Sequence, residues 1–494
     1  MDSSGFSARL ASLIGQAAGR AVKNGRRVLV SLSAGVPRRD PLAALEACCR
    51  SLGSEMQLAD HIALGMAYWA RPSQSFAMAA LGAAAVLSPA TASDRFAAVD
   101  DEWRLLLSDA LIESDSAEIP AVGPTIIGGF SFDPAGPQTS RWMEFPRAHM
   151  IVPQMHLTMV GEETWLTVST MVDKHGNPDH PVDRLASLRR FFLDAGLPQI
   201  QNEGAVVELT SDMPEDNWET IVAEAVQTIR SGELRKVVLA RSVHGLTSEP
   251  ANPFAVLRQL SEAHRDALIY GYWRGDKAFV GASPERLVSL DGNAVSASSL
   301  AGTVKRGATP EEDETLAREL QSSAKDLGEH AAVREMLHEI LSQVGDHVDS
   351  PDTPEILTLS NVHHLHTEVT ANLRNGYSLL DVVSRIHPSP AVGGSPRAHA
   401  LEFIRENENL DRGWYAAPIG WVDKRGGEFA VALRSGLIDG SAFTLYAGCG
   451  IVADSDPAQE LVESTLKLDP MRSAISASFH VEDRELMGVA ERTE

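Results

Sequence analysis

Hydrophobic residues along this chain alternate with polar ones in some segments and recur at helical spacing in others. Alternation and β-branched residues predict strands at "PTIIGGFSFD" and "WLTVSTMVD", and further along at "KVVLAR", "ALIYGYW" and "AFVGASPERLVSL". Helical spacing predicts one long helix from about Pro310 to Val344 and further helices from about Pro396 and Pro457. Because the predicted strands often follow one another without an intervening helix, we expect mostly antiparallel sheets.

One predicted strand begins with a lysine. In "RKVVLAR", residues 235–241, strand alternation places Lys236, Val238 and Ala240 on one face. Most lysines at strand ends extend past the apolar surface and hold the ammonium group in water. From this segment alone a solvent-exposed lysine is the simpler interpretation, and a functional amine is the alternative.

Two predicted helices carry pairs of carboxylates. In "SAKDLGEHAAVREMLHEIL", the apolar stripe extended towards the start of the helix reaches Asp326 and Glu329. In "DPAQELVESTLKL", Glu460, Glu463 and Lys467 lie in one arc opposite the apolar residues. Acids near a helix start suit the helix dipole, and a solvated face with a Glu463–Lys467 pair is common. The alternative is a bound Mg²⁺ ion between the two helices, because hard cations prefer carboxylate oxygens.

Histidines are concentrated in the segment "NVHHLHTEV". In a strand His364 and His366 share one face and His363 lies on the other, so a zinc site would lack ligands. A zinc hydrolase built on this segment is therefore disfavoured, and one histidine that hydrogen-bonds a substrate fits better. The glycine-containing segments "LAGT", "PAVGGSP" and "AGCGIV" can bring backbone N–H groups to a phosphate or carboxylate. The motifs of ATP and dinucleotide sites are missing.

The composition is that of a soluble globular protein, with 44% hydrophobic and 22% charged residues among 494. A formal net charge of -24 argues against nucleic-acid and anionic-membrane binding, so an anionic substrate needs local cations. Three cysteines without a disulfide or zinc pattern fit a reducing cytoplasm. The longest apolar run, Phe76–Leu87, is too short to span a bilayer and is expected in the core.

The N-terminal segment allows two interpretations. Ser3–Arg39 contains several arginines and no acidic residue, which is compatible with an organelle transit peptide. An amphipathic first helix followed by the strand "RVLVSLS" fits better.

Together and in this order, these segments resemble the chorismate-utilising enzymes. That family includes isochorismate synthases, salicylate synthases and the large subunits of anthranilate and aminodeoxychorismate synthases. The resemblance covers about residues 220–475 and rests on "KVVLAR", "GASPERL", "LAGT", "AKDLGEH", "LSNVHHLHT", "HPSPAVGGSP", "DRGWYAAPIGW", "FAVALRSG" and "AGCGIVADSDPAQELVESTLK". The segment "GPTIIGGFSFD" is also similar to the N-terminal half of isochorismate synthases.

The resemblance implies the fold. It is an α+β fold of the anthranilate synthase component I type, with two large, mostly antiparallel sheets flanked by helices. Residues 1–210 would form a family-variable N-terminal half, residues 211–480 the chorismate-binding catalytic region, and residues 481–494 a C-terminal tail.

The resemblance also implies roles for individual residues. Lys236 would be the general base that activates water for attack at C2 of chorismate, and Glu285 would be the acid that protonates the departing C4 hydroxyl. Glu329 and Glu460 would bind the cofactor Mg²⁺ directly, with Asp326 and Glu463 nearby or acting through water. Nine further residues would hold the substrate: Gly302, Thr303, His364, Ala391, Tyr415, Arg434, Gly448, Gly450 and Lys467. An apolar setting near a cation would favour the neutral amine that a base requires.

Single residues narrow the choice among family members. Amine-adding members generally lack the lysine found here at 236, and aminodeoxychorismate synthases often carry lysine in place of Ala301. Because no glutamine amidotransferase domain is attached either, we expect water as the nucleophile and no amidotransferase subunit. Salicylate synthases tend to have threonine in place of Ala391, which favours isochorismate as the product. The N-terminal half is more similar to the menaquinone type.

Three alternatives stay open at this point: a salicylate synthase, a siderophore-pathway isochorismate synthase, and a catalytically inactive chorismate-binding relative. The chain also departs from the family at Ala417, where glycine is common, and at Cys449, where alanine is usual. If residue 417 needed a positive φ, the substrate loop would shift.

Overall fold

A computed structural model describes residues 3–52, 65–89, 94–174, 205–358 and 362–479, together with 182, 185, 186, 189, 190, 192 and 193. The described residues form ten α-helices, α1 to α10: Ser3–Asn24, Pro41–Leu52, Arg95–Ser108, Glu215–Arg230, Pro253–Ala263, Pro310–Ser322, Ala324–Val344, Leu379–Ile386, Arg397–Asn407 and Pro457–Ala477. One short 3-10 helix spans Pro72–Gln74.

The same residues form the strands β1 to β21. Their bounds are Val28–Val36, Met66–Arg71, Phe76–Leu87, Leu111–Ser114, Thr125–Phe130, Ala148–Val160, Glu163–Val172, Val206–Ser211, Lys236–Thr247, Leu268–Arg274, Lys277–Ser283, Arg286–Asp291, Ala294–Lys305, Gly345–Asp349, Glu355–Thr358, Val362–Leu373, Gly394–Ser395, Pro418–Asp423, Gly426–Val431, Ser435–Asp439 and Ala442–Ile451.

The strands form two sheet arms that share β6. In the first arm the order is β4-β1-β7-β6-β3-β2-β10-β11-β20-β21-β9, and both β8 and β17 pair with the outer side of β9. In the second arm the order is β6-β5-β18-β19-β12-β13-β16, and both β14 and β15 pair with the outer side of β16. Of the pairings between described strands, only β1–β4 is parallel. The predicted antiparallel α+β architecture is confirmed, with its two sheets joined through one strand.

Apolar side chains of the helices cover the sheets. Val333, Leu337 and Leu341 of α7 are buried in one core cluster with Val295 of β13 and Val369 of β16. Strand β3 is the apolar run of the sequence, and its first eight residues are buried, as expected for core. The predicted N-terminal helix followed by a strand is present as α1 and β1. In the described part of the chain no helix is long and apolar enough to cross a membrane.

The expected single helix from Pro310 to Val344 is wrong, because the chain breaks at Ser323. This residue has an extended backbone (φ -69°, ψ 109°), and its side-chain oxygen accepts a hydrogen bond from the backbone N–H of Asp326. Serine competes for backbone hydrogen bonds in this way and is therefore favoured at helix starts. The break makes Asp326 part of the first turn of α7.

The predicted division at residue 210 stays a prediction. Hydrogen-bonded pairs join strands from both sides of it, since β2 pairs with β10 and β5 with β18. The predicted tail, 481–494, lies outside the described residues.

Candidate active site

Lys236 is the first residue of β9, a strand enclosed by β17 on one side and β21 on the other. Its side chain is 16% exposed, and its ammonium group donates a hydrogen bond to the Glu329 carboxylate of α7. Val238 and Ala240, on the same face of the strand, are buried. The lysine is therefore directed to the acidic helix and not into bulk water.

Gly450 of β21 provides the space that the Lys236 side chain occupies. A Cβ atom built on Gly450 would lie 2.6 Å from Cε and 3.1 Å from Nζ of Lys236. Carbon atoms do not approach so closely, so any side chain at this position would displace the amine. The glycine of "AGCGIV" thus fixes where the lysine can be.

Replacing Gly450 by alanine is expected to lower kcat without lowering stability. The displaced atoms belong to the free end of a flexible side chain, so the fold can absorb the methyl group while the amine moves away from its place. Enzyme kinetics and thermal unfolding of Gly450→Ala would be compared with Gly19→Ala, where a built Cβ meets nothing within 4 Å. Unchanged kcat in Gly450→Ala would contradict this role.

Glu285 lies in the turn between β11 and β12. Its backbone N–H donates to Ser283 Oγ at 3.1 Å, and its carbonyl accepts from the Val431 N–H at 3.1 Å, so the turn is fixed to the end of β19. Desolvation raises the pKa of the Glu285 carboxyl to about 7, although the ammonium groups of Lys236 and Lys467 lower it. A carboxyl group that holds its proton near neutral pH can act as a general acid.

Two of the predicted metal ligands lie together on α10. Ligand atoms of Cys449, Glu460 and Glu463 are within 4.8 Å of one another. Desolvation raises the pKa of Glu460, and the neighbouring Glu463 carboxylate raises it further. The Cys449 thiol donates to the backbone carbonyl of Glu460 at 3.2 Å. Crowded carboxylates of this kind favour a bound cation.

The other two predicted ligands lie at the start of α7. Glu329 contacts Lys236, and Asp326 packs against Gly302, where a built Cβ would lie 3.0 Å from Asp326 Cβ. Gly302 has φ +74° at an irregularity in the pairing of β13 with β16, a conformation that favours glycine. Among the described residues, then, the two acidic helices each border the Lys236 region.

His364 of β16 lies beside this bulge. Its side chain bonds to the backbone of Gly302, and desolvation lowers the pKa of His364 to about 4, so the ring is neutral at pH 7. His363 instead hydrogen-bonds Asp313 and Thr358 at 2.9 Å each. Because the neighbouring histidines face different partners, the arrangement gives no support to a zinc site.

Cations and backbone groups line the other side of the site. Lys467 donates to the Gly448 carbonyl at 3.0 Å and pairs with Glu463 at 2.6 Å. The hydroxyl of buried Tyr415 would lie 3.2 Å from a Cβ built on Gly448. Arg434 donates to the Lys467 carbonyl at 3.4 Å. Its φ of 49° is uncommon for a residue with a side chain, and such backbone recurs at functional sites.

The remaining predicted residues lie in neighbouring loops. Ala391 belongs to a turn in which Val392 and Gly393 N–H groups donate to the Ser389 carbonyl, and Gly393 accepts from Val238 of β9. The side chain of Thr303 lies outside the described part of the chain. In the "YAAP" loop the residue with a left-handed backbone is Ala416, with φ 59°. Residue 417 does not have a positive φ, so alanine at this position does not shift the loop.

A buried ion pair that the sequence did not single out positions β9. Arg412 donates to Glu408 at 2.7 Å, and the exposed fractions of the two side chains are 3% and 2%. Arg412 also donates to the carbonyls of Val238 and Val392, while Glu408 accepts from the N–H of Ala240 at 2.8 Å. Arg412 belongs to "DRGWYAAPIGW", one of the segments that carry the family resemblance, and this was the sequence feature that could have pointed to it. The pair joins the Lys236 strand to the "HPSPAVGG" loop.

Replacing Glu408 by alanine is expected to destabilise the protein by about 3–5 kcal/mol, because it leaves the Arg412 charge buried and unpaired. Urea unfolding of Glu408→Ala would measure this. The matched control is Glu314→Ala, which removes a pair of the same spacing whose side chains are 64% and 73% exposed; exposed pairs contribute at most about 1 kcal/mol. Equal, small effects of the two substitutions would contradict the assigned role of Glu408.

Comparisons with known proteins cover nearly the whole chain. A family model described as chorismate binding enzyme matches residues 16–476. Isochorismate synthase MenF of Bacillus subtilis is 36% identical over 453 residues, which cover 91% of this chain and 93% of that protein. The salicylate biosynthesis isochorismate synthase of Pseudomonas aeruginosa is 36% identical over 472 residues, 94% of this chain and 93% of that protein.

Solved structures show the same fold. MenF, the menaquinone-specific isochorismate synthase from Escherichia coli, superposes with a TM-score of 0.75 at 24% identity, covering 94% of this chain and 99% of that chain. Anthranilate synthase component I from Streptococcus pneumoniae superposes with a TM-score of 0.67 at 21% identity, covering 81% and 92%. The predicted anthranilate synthase component I type of fold is confirmed.

Proposed function

The chain belongs to the chorismate-binding enzyme family, and we propose that it is an isochorismate synthase. It would convert chorismate to isochorismate by adding water at C2 and releasing the hydroxyl group at C4. The observation that carries this proposal is an amine together with a carboxyl group, in the field of that amine, whose pKa burial raises towards neutrality. Lys236 is held on β9 by Glu329 and Gly450, and Glu285, within the field of that amine, has its pKa raised to about 7.

The two groups divide the proton transfers of the reaction. The Lys236 amine takes a proton from water as the oxygen bonds to C2, the ring double bonds shift, and the C4–oxygen bond breaks. Glu285 gives its proton to the departing oxygen, which leaves as water. One water enters and one leaves, so the reaction is an isomerisation. Hydroxide is a poor leaving group, which is why an acid that is still protonated near pH 7 suits the step.

Local cations would hold the substrate against the negative charge of the whole protein. Chorismate carries two carboxylates, and Arg434 and Lys467 border the site with backbone groups of Gly448 and Gly450 between them and Lys236. Neutral His364 and the Tyr415 hydroxyl add hydrogen-bonding groups on the same side. Gly302, Thr303 and Ala391 would complete the wall of the pocket.

The carboxylates of α7 and α10 fit Mg²⁺. All four are hard oxygen donors, and desolvation, with a smaller contribution from the neighbouring Glu463 carboxylate, raises the pKa of Glu460. Glu329 and Glu460 would bind the ion directly and Asp326 and Glu463 would support them. The ion would supply positive charge for a carboxylate of chorismate.

Product and pathway follow from smaller features. Ala391 favours release of isochorismate over conversion to salicylate, and menaquinone synthesis remains the predicted pathway. The three cysteines are free thiols, which supports a reducing compartment such as the cytoplasm. No amidotransferase partner is needed, because water is the nucleophile.

Chromatography of products from purified protein and chorismate would test the proposal. With Mg²⁺ we expect isochorismate in equilibrium with chorismate and no pyruvate, and with EDTA no conversion. Salicylate with stoichiometric pyruvate would assign the chain to the salicylate synthases. No product with Mg²⁺, even after ammonia is added, would leave a chorismate-binding protein without this activity.

A further inference from the structure

Glu285 lines a cavity to which Lys236 does not contribute. The cavity has a volume of about 130 Å³ and lies between the β12–β13–β16 region and the turn after β2. Polar residues that line the cavity include Arg71, Glu285, Arg286, Ser298, His366 and Glu428. Among the described residues the Glu285 carboxyl has no hydrogen-bond partner, so its proton must be exchanged with water or with substrate.

The walls of this cavity are polar. Three buried polar atoms of lining residues make no hydrogen bond in the described part of the chain: Arg71 Nε, Arg286 Nε and Glu428 Oε1. Buried polar groups are nearly always satisfied, by ordered water where protein groups are missing. A cavity needs only about 10–15 Å³ of such volume to hold one water molecule, so this one has room for several. It is polar enough and large enough for a short chain of waters that ends at Glu285.

His366 is the titratable side chain that completes such a chain. On β16 it is paired with Leu300 of β13 on one side and with Glu355 of β15 on the other, and it is half-buried in the cavity wall. Desolvation lowers the pKa of His366, and Arg286 lowers it while Glu368 and Glu355 raise it. Other charged or titratable groups around it are His330, Arg71, Asp266, Glu285 and Glu428. A neutral imidazole can accept a proton from solvent at one nitrogen and donate at the other.

We propose that His366 and the waters of this cavity return a proton to Glu285 after each turnover. The proposal rests on the proposed function and adds a step to it. Each turnover leaves Glu285 as carboxylate and Lys236 as ammonium. His366 takes a proton from solvent, passes it through the cavity waters to Glu285, and becomes neutral again, while Lys236 releases its proton to solvent. The net proton balance is zero, and the active site can be reset while substrate or product still covers it.

His366→Gln tests the relay, because glutamine keeps hydrogen bonding but cannot carry a proton. We expect kcat of His366→Gln to fall at least about tenfold with KM for chorismate unchanged, and added imidazole to restore kcat in His366→Ala, where the truncation leaves space for it. The control is His338→Gln, an exposed histidine on α7, which should match the wild type with and without imidazole. Should His366→Gln fail to fold, as judged by thermal unfolding, His366→Ala with imidazole serves instead.

Two results would overturn the relay. One is wild-type kcat in His366→Gln, and the other is a loss of kcat in folded His366→Ala that imidazole does not restore. A wild-type protein that makes no isochorismate would instead contradict the proposed function, so the two failures are distinguishable.

Discussion

Lys236→Ala is expected to lower kcat for isochorismate formation by about 10²–10⁴, the usual contribution of one positioned proton transfer. Water is a weak nucleophile, and in the proposed mechanism the Lys236 amine is its base and Glu285 is the acid. The truncation leaves Glu329 without its partner, but that carboxylate is 33% exposed and water can solvate it, so the fold should persist. Steady-state kinetics and thermal unfolding measure the two effects.

Lys277→Ala is the matched control. Lys277 also begins a strand, is 14% exposed, and lies 3.9 Å and 3.8 Å from the carboxylates of Glu144 and Asp439, but it is not part of the site. Lys236→Arg distinguishes the role of Lys236 as a base from its role in the ion pair. Arginine can keep Glu329 as a partner but stays protonated and cannot act as a base. We expect Arg to be as inactive as Ala at position 236. Activity in Lys236→Arg would show that the cation matters and the base does not.

Glu285→Gln is expected to lower kcat by a similar factor, about 10²–10⁴, because glutamine cannot give a proton to the departing hydroxyl. The same group sets a pH dependence. Glu285 must carry its proton to act, so the rate of the wild type should fall as pH rises above about 7, the value to which its pKa is raised. The pH–rate profile of kcat measures this limb.

The substitution should also change stability, in a direction fixed by the pKa. The Glu285 pKa is raised from 4.5 to about 7 in the folded protein. Folding therefore favours the protonated group, and its contribution to stability is full below pH 4.5 and is lost as pH rises through 7. The free energy of unfolding of Glu285→Gln minus that of the wild type should therefore be larger at pH 8 than at pH 5. An active variant, or a stability difference that shrinks with rising pH, would contradict the role of Glu285.

Much of the site was predictable because its residues lie on regular elements. The period of a strand placed Lys236 on one face with Val238 and Ala240, and helical spacing paired Asp326 with Glu329. The break at Ser323 was not predictable from periodicity, because the helical spacing continues through it and a single capping hydrogen bond decides the matter.

Contacts between distant segments could not be predicted from patterns along the chain. The side chains of Arg412 and Glu408 hydrogen-bond backbone groups of Val238, Ala240 and Val392. Every residue has such backbone groups, so the residue types along the chain do not reveal these contacts. The predictions from the sequence gave Lys236 and Glu329 separate roles, as a base and as a metal ligand. Their ion pair appears only when β9 and the start of α7 are brought together. The conformation of the "YAAP" loop also depends on a tertiary contact, because the backbone N–H of Ala416 donates to the carbonyl of Ala432.

The central claim is that this chain adds solvent water to chorismate. The most direct test incubates the purified protein with chorismate and Mg²⁺ in water enriched in oxygen-18 and determines the mass of the product. We predict isochorismate with one oxygen-18 atom in its C2 hydroxyl group, and at least about 10²-fold slower formation of this product by Lys236→Ala. Isochorismate without the label, or a product that is not isochorismate, would contradict the claim.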